Sequence, residues 1–359
     1  SIFALIDDAE NSFMPDNLLL DFRSDTVTKP DVAMRKAMYE AEVGDDVYGE
    51  DTTINQLEAQ GADLLGKQAG LFVSSGTQAN LIAILTHAGR GDEYITGDHY
   101  HSYFYEAGGA AALGSVVPCT LPVNEHGQIT KADLRAAIKP DDSHHPISRL
   151  LCLENTVNGK VQPTDHLFDL CDTAHQNGLS THLDGARLMN AAVASQKPAA
   201  QIGERCDSVS LCLSKGLGAP AGSLLCGSAD FIHKARRWRK MLGGGMRQAG
   251  MLAAAGQYAL CHNVARLAQD HENARQLADK LASIDGVDVA PEQVDTNMVY
   301  MYLPSDKCAD LPAYLRAQDI IISPAKKGFR LVLHKDIPAS EMDRLVLGVQ
   351  AYMAANIAV

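Results

Sequence analysis

From Leu71 onward, short apolar runs alternate with helical patterns. This alternation limits what the 359-residue chain can fold into more than any other feature. Leu71-Phe-Val73 leads into a helical pattern over Gln78–Leu85, Ser115-Val-Val117 precedes Ala132–Ile138, and Arg149–Leu153 precedes His166–Ala174. Further runs follow at Leu179–Leu183 and Ser208–Leu213. Two parallel strands can be joined only by a long crossover, usually a helix, so the repetition predicts an α/β architecture with a mainly parallel sheet. Ligands of such sheets bind at the carboxyl ends of the strands. The polar residues just past each apolar run are therefore the places to look for chemistry.

The texture changes after Gly245. Arg247–Ser283 is rich in Ala, Leu and Gln and reads as one long helix or two in tandem, stopped at Asp285-Gly286. Beyond it lie the alternating run Asn297–Tyr302, a strand around Arg330–Leu333, and a closing helix opened by Ser340-Glu-Met-Asp343 with capping-box spacing. This predicts a smaller C-terminal α+β domain, and the division expected is an N-terminal arm over 1–36, a large domain over 37–250 and a small domain over 251–359. Ser1–Leu20 mixes four acidic residues with short apolar pieces and lacks the features of a signal peptide. No run approaches the roughly 20 apolar residues of a membrane span.

A formal charge of −13, from 44 acidic and 31 basic residues, argues against a nucleic-acid or membrane partner. The basic run Lys234–Lys240 reads as a solvated helix face. The eight cysteines show no C-x-x-C pair, and several sit in apolar runs, which fits free thiols in a reducing, cytoplasmic compartment.

Four features fall at expected strand ends. Ser74-Ser-Gly-Thr77 has the make-up of an anion cup at a helix N-terminus, although taken alone such a segment is more often a plain N-cap. Thr181–Arg187 puts Asp184 and Arg187 just past an apolar run, where Asp184 serves either a ligand or the next helix as a cap. Lys215 ends the apolar run Ser208–Leu213. Burying an ammonium is costly, so a lysine there is either paired or kept as an amine nucleophile. The cluster His99–Glu106 holds two histidines at i and i+2, which hints at metal. No third ligand at suitable spacing accompanies them, and a ring-stacking role for His101 fits better than a metal site. A phosphate cup, a stacking residue, an Asp and a Lys in that order (75–77, 101, 184, 215) are what a pyridoxal 5'-phosphate (PLP) site requires. The order resembles that of fold type I, the aspartate-aminotransferase-like PLP-dependent transferase fold.

Several segments then resemble the low-specificity L-threonine and L-allo-threonine aldolases: Asp21–Pro30, Glu42–Asp51, Ser75-Gly-Thr77, Leu153–Thr156, His182–Arg187, Leu213–Pro220 and Gly243–Gln248. The resemblance implies retro-aldol cleavage of L-threonine and L-allo-threonine to glycine and an aldehyde. It makes Lys215 the residue joined to the cofactor, Asp184 the partner of the pyridine nitrogen and His101 the stacked ring. Ser75, Gly76 and Thr77 become the phosphate cup, with Arg187 and Arg247 as further cofactor ligands, Arg247 reaching a neighbouring subunit. Ser24, Arg187 and Arg330 would clamp the substrate carboxylate, His144 would face the β-hydroxyl, and Tyr48 would enter from a partner chain of a homotetramer. His144, His101 and an ordered water are the candidate bases. Rival readings are a β-eliminating lyase or racemase on the same fold and a non-catalytic regulator. Another is a phosphate-loop protein read from Gly61–Gln68, where Gln68 stands in place of the Mg-binding hydroxyl. Gly216–Gly222 also mimics a dinucleotide fingerprint, one residue too long and containing Pro.

Overall fold

The computed structural model describes residues 18–355, which form two compact units: residues 28–271 with 295–297, and residues 18–27 with 272–294 and 298–355. The strands run in chain order as β1 (Leu20–Asp21), β2 (Ala69–Val73), β3 (Glu93–Gly97), β4 (Val117–Leu121), β5 (Ser148–Glu154) and β6 (Ser180–Gly185). They continue as β7 (Ser208–Cys212), β8 (Ser223–Gly227), β9 (Met298–Tyr302), β10 (Ile320–Ile321) and β11 (Gly328–Val332).

The large unit is built on one seven-stranded sheet of order β2-β8-β7-β6-β5-β3-β4. Only β8 runs against its neighbours; β3, β4, β5, β6 and β7 pair in parallel, and β2 shares their direction because it too is antiparallel to β8. Strands β3, β7 and β8 are buried along their whole length, as expected of a sheet covered on both faces. Helices cover the sheet, and four of them begin where a short polar side chain satisfies a first-turn N–H group. Asp51 caps Thr52–Leu65, Ser75 caps Gly76–His87, Thr130 caps Lys131–Ala137 and Ser228 caps Ala229–Met241.

The expected helices over Gln78–Leu85, Ala132–Ile138 and His166–Ala174 are observed as Gly76–His87, Lys131–Ala137 and Thr164–Gln176. The long Ala-rich stretch resolves into two helices in tandem, Gly250–His262 and Leu267–Ala282. The first of these, placed by the sequence division in the small domain, packs on Val32–Tyr39 and Thr52–Leu65, with Ala253, Ala255 and Ala259 buried in the main apolar core of the large unit. The capping box at Ser340 is not formed. Ser340 lies inside the 3-10 turn Ala339–Glu341, so its hydroxyl does not stand at the cap of the helix Met342–Ala355.

The phosphate-loop reading fails on packing. Gly61 lies within the helix Thr52–Leu65, where a Cβ would come within 2.4 Å of Leu224 Cδ1 on β8. Lys67 donates to the carbonyls of Gly203 (2.9 Å) and Cys206 (2.6 Å), so its ammonium is already committed. Gly216–Gly222 lies in the antiparallel return from β7 to β8, with no helix after it to bind a dinucleotide.

In the small unit, β9 and β11 form an antiparallel pair and β1 and β10 a parallel one. Leu20 and Phe22 are fully buried there among Leu331, Phe329, Leu345 and Val349. Among the described residues no helix is long and apolar enough to cross a membrane.

Candidate active site

Because β2, β3, β5, β6 and β7 all run the same way, their carboxyl ends line one edge of the sheet. Glu154, the last residue of β5, lies in register beside Asp184 near the end of β6. Asp184 in turn lies beside Ser210 of β7, and Lys215 follows that strand by three residues. The turn carrying Lys215 is pinned by its backbone: the Lys215 carbonyl accepts from Thr28 Oγ1 at 2.8 Å and from the Gly218 N–H at 2.8 Å.

Ser74–Thr77 leaves the carboxyl end of β2 and turns directly into the helix Gly76–His87. Ser75 Oγ accepts from Gln78 N at 3.1 Å, and the Ser75 carbonyl takes the N–H of Ala79 at 3.0 Å. Among the described residues the N–H groups of Gly76 and Thr77 have no partner, so they and the positive helix end suit an anion. Both readings of this segment hold together, since Ser75 is the cap and the two following amides remain for a ligand. Gly76 is needed for close approach: a Cβ there would lie 2.9 Å from Cys212 Sγ, on the strand that leads to Lys215.

Asp184 is almost wholly buried and accepts two hydrogen bonds, from Asn80 Nδ2 at 2.7 Å and Ala186 N at 2.9 Å. The second closes a local turn and is not the helix cap weighed for Asp184, since the helix Leu188–Ser195 has Arg187 at its N-cap and no side-chain cap bond. His101 opens a short helix, His101–Phe104, after β3. Its N–H donates to Glu154 Oε2 at 2.7 Å, and its Nδ1 is 2.9 Å from Glu106 Oε1. Buried Glu106 also accepts from Asn80 Nδ2 at 2.9 Å. Burial raises the Glu106 carboxyl above its ordinary value, and its bond to His101 opposes that rise.

Atoms of His101, Glu106 and Asp184 that could ligate a metal lie within 4.8 Å of one another. Of the two histidines whose spacing hinted at metal, only His101 belongs to this group. Hydrogen bonds account for the approach, since Asn80 bridges the two carboxylates and the His101 ring bonds one of them.

Burial pushes the Glu154 carboxyl up to about 8; the Asp184 charge adds to this, while the His101 N–H and the charges of Lys215 and Arg187 pull it down. A raised carboxyl pKa means that the folded chain keeps a proton that the unfolded chain has released. Stability is therefore lost as pH rises from about 4.5 to about 8. Glu154→Gln keeps an oxygen for the His101 N–H and removes this loss. The cofactor-free variant is expected to melt above wild type at pH 9 and together with it at pH 4. Coincident melting curves at pH 9 would remove Glu154 from this account.

The remaining expected site residues are placed as follows. Arg187 precedes the helix Leu188–Ser195, three residues past Asp184. Arg330 lies on β11 of the small unit and its Nη2 donates to the Arg23 carbonyl at 3.4 Å, next to Ser24, so that unit brings two members of the expected clamp together. Ser24 Oγ also accepts from Thr26 N at 3.3 Å. His144 is on an exposed loop with its Nδ1 2.7 Å from Asp142 Oδ1. Arg247 pairs with Asp45 at 3.0 Å. Tyr48, in the same loop as Asp45, is 77% exposed.

Known proteins match this chain along most of its length. The beta-eliminating lyase family model covers residues 21–303. The low specificity L-threonine aldolases of two Escherichia coli strains are each 47% identical to it over 336 residues, 94% of this chain and 100% of theirs. The chain belongs to the low-specificity L-threonine aldolase family. The solved structure of Leishmania major threonine aldolase has the same fold, with a TM-score of 0.80 at 23% identity over 93% of this chain and 99% of that one.

Against the low-specificity aldolase pattern, sequence reading left four buried residues without a role: Asn80, Glu106, Glu154 and His182. Glu106 and Glu154 stood inside segments already singled out, and a charged residue ending an apolar strand was a signal for Glu154. Asn80, in the apolar stretch Ala79–Leu85, offered only the oddity of an amide where the pattern asks for an aliphatic side chain.

Proposed function

We propose that this chain cleaves L-threonine, L-allo-threonine and related β-hydroxy-α-amino acids to glycine and an aldehyde, with PLP as cofactor. The observation that carries this is the sheet edge itself. Asp184 and the turn of Lys215 end adjacent parallel strands, and the strand leading to Lys215 touches Gly76 at a helix N-terminus with two amides to spare. The Escherichia coli relatives, named for this activity, support the substrate class.

The residues present fit the cofactor. Lys215 would hold its aldehyde carbon, Asp184 its pyridine nitrogen, His101 its ring face, and Ser75, Gly76 and Thr77 its phosphate, with Arg187 and Arg247 adding charge. Bound there, the group supplies an electron sink for the pair released when a bond to Cα breaks. Arg187 would hold the substrate carboxylate, a task suited to the planar fork of Arg, and Ser24 and Arg330 are the further residues that the resemblance assigns to it. A base, His144 or His101 or water held by them, takes the β-hydroxyl proton. The Cα–Cβ bond then breaks with its electron pair left on Cα, the aldehyde departs, and a proton delivered to Cα completes glycine. The same reading makes the protein a cytoplasmic homotetramer with sites shared between subunits. Exposed Tyr48, with the exposed apolar Val43 and Val47 beside it, suits a subunit boundary.

A β-eliminating reaction is the second reading, favoured by the description of the family model. Purified protein supplied with PLP is expected to turn yellow and to release glycine and acetaldehyde from both L-threonine and L-allo-threonine. Pyruvate from serine without glycine would replace the aldol reading with the eliminating one. Sedimentation at a monomer's rate would remove the shared site.

A further inference from the structure

The helix Gly76–His87 lies on the sheet along a polar seam, and the geometry of both elements dictates it. On β6, His182 and Asp184 are two residues apart and share one face; on β7, Ser208 and Ser210 do the same. On the helix, Asn80 and His87 are seven residues apart, two turns, and so also share a face. These six side chains meet in an otherwise apolar layer.

Asn80 is the hub. Its Nδ2 donates to Asp184 Oδ2 at 2.7 Å and to Glu106 Oε1 at 2.9 Å. Its Oδ1 accepts from His182 Nε2 at 3.0 Å and from Ser210 Oγ at 3.1 Å. Both protons and both lone pairs of the amide are used, the full capacity of the group. Beyond it, His182 Nδ1 is 2.9 Å from Ser208 Oγ, which is 2.8 Å from His87 Nε2.

The shape of an amide does not distinguish its oxygen from its nitrogen, so its neighbours fix which way it points. Burial holds the His182 imidazole far below its ordinary value, at about 3, and that of His87 at about 4, so both rings are neutral and each carries a single N–H. Because the two carboxylates call for the NH2 of Asn80, His182 Nε2 donates to its oxygen, which makes Ser208 the donor to His182 Nδ1 and His87 the donor to Ser208. The two donors beside the amide, His182 Nε2 and Ser210 Oγ, are thereby aimed at the oxygen of Asn80, and its NH2 is turned to the two carboxylates. Reversed, the amide would set a carbonyl against both Asp184 and Glu106.

We propose that Asn80 is a positioning residue for the cofactor, held in its working orientation by His182. It fixes the carboxylate of Asp184 and, through Glu106, the ring of His101, so that one amide sets two cofactor contacts at once. This rests on the functional reading above. None of the seam residues beyond Asp184 needs to touch the cofactor.

The test is PLP affinity, read from the absorbance of the protein-bound cofactor, alongside melting of the cofactor-free protein. Asn80→Asp keeps the acceptors for His182 and Ser210 but replaces the NH2 by an oxygen facing two carboxylates. It is expected to weaken PLP binding about 10- to 100-fold, the scale of losing hydrogen bonds to a charged group. His182→Leu, which frees the amide to turn, should weaken it by about tenfold. His182→Gln places an amide N–H where the ring held its own and should bind within about threefold of wild type. The two His182 variants both lose the bond to Ser208, so a merely structural role predicts equal affinities for them. Wild-type affinity in Asn80→Asp overturns the proposal, as does His182→Gln binding as poorly as His182→Leu. If Asn80→Asp does not fold, the His182 pair decides alone. A wild type that takes up no PLP sinks the functional reading beneath, an outcome distinct from a wild type that binds and an Asn80→Asp variant that binds equally.

Discussion

Lys215→Ala is expected to lower glycine formation by about 10⁴-fold or more, the scale seen when a residue acting as nucleophile is removed. The expectation is specific because the backbone at 215 is held without help from the side chain. Its carbonyl takes the Thr28 hydroxyl and the Gly218 N–H, and Leu213 and Ala219 on either side close a further backbone bond of 3.0 Å. Truncation therefore removes the amine and leaves the turn between β7 and β8 in place. Circular dichroism and the melting temperature of the cofactor-free protein should match wild type, while the visible band of lysine-bound cofactor disappears. PLP added to the variant should still associate, since Asp184 and the amides of Gly76 and Thr77 remain. Turnover within tenfold of wild type would show that another amine does the work.

Where the sequence spoke clearly, it did so because one physical constraint acted alone. The covered strands β5, β6 and β7 are mostly apolar or small and uncharged, so a charge at or just past the end of such a run stood out, and Asp184 and Lys215 were legible as strand-end charges for that reason. Ser75 was legible because a helix start demands a short polar side chain. Strands β3 and β8 were missed: each is only five residues long, ends in Gly, and carries too little pattern to separate it from a loop. Asn80 and His182 were missed for a different reason. A polar residue on a covered face is indistinguishable, in one dimension, from one that faces water. Its partners lie 102 and 130 residues away for His182 and Ser210, so only the assembled sheet reveals the seam. Two members of the expected clamp, Ser24 and Arg330, fall in one unit, brought there by the pairing of Val332 N with the Phe22 carbonyl at 2.9 Å.

The basic run Lys234–Lys240 shows where pattern reading misjudged an energy, and it leads to the largest expected effect on stability. Read as a solvated face, it contains Arg239, which is 3% exposed. Its Nη2 donates to Asp46 Oδ2 at 2.6 Å and its Nη1 to the Phe72 carbonyl at 2.8 Å, with Glu58 Oε1 3.9 Å away. Burial raises the Glu58 carboxyl, opposed first by Arg236 and then by Arg239 among other contacts. Arg239→Met keeps the apolar stem of the side chain and removes the charge, leaving Asp46 buried without compensation. Removing one partner of a buried ion pair costs about 3–5 kcal/mol. Asp46 begins the turn that presents Tyr48 and follows Asp45, the partner of Arg247, so the loss should also loosen that loop and raise KM before kcat. A second change, Asp46→Leu, removes the stranded charge and should restore part of the stability in denaturant unfolding. An Arg239→Met variant that unfolds at the wild-type denaturant midpoint would show that the pair is no more than a surface contact, and the seven-residue basic run would be the solvated face that its composition suggests.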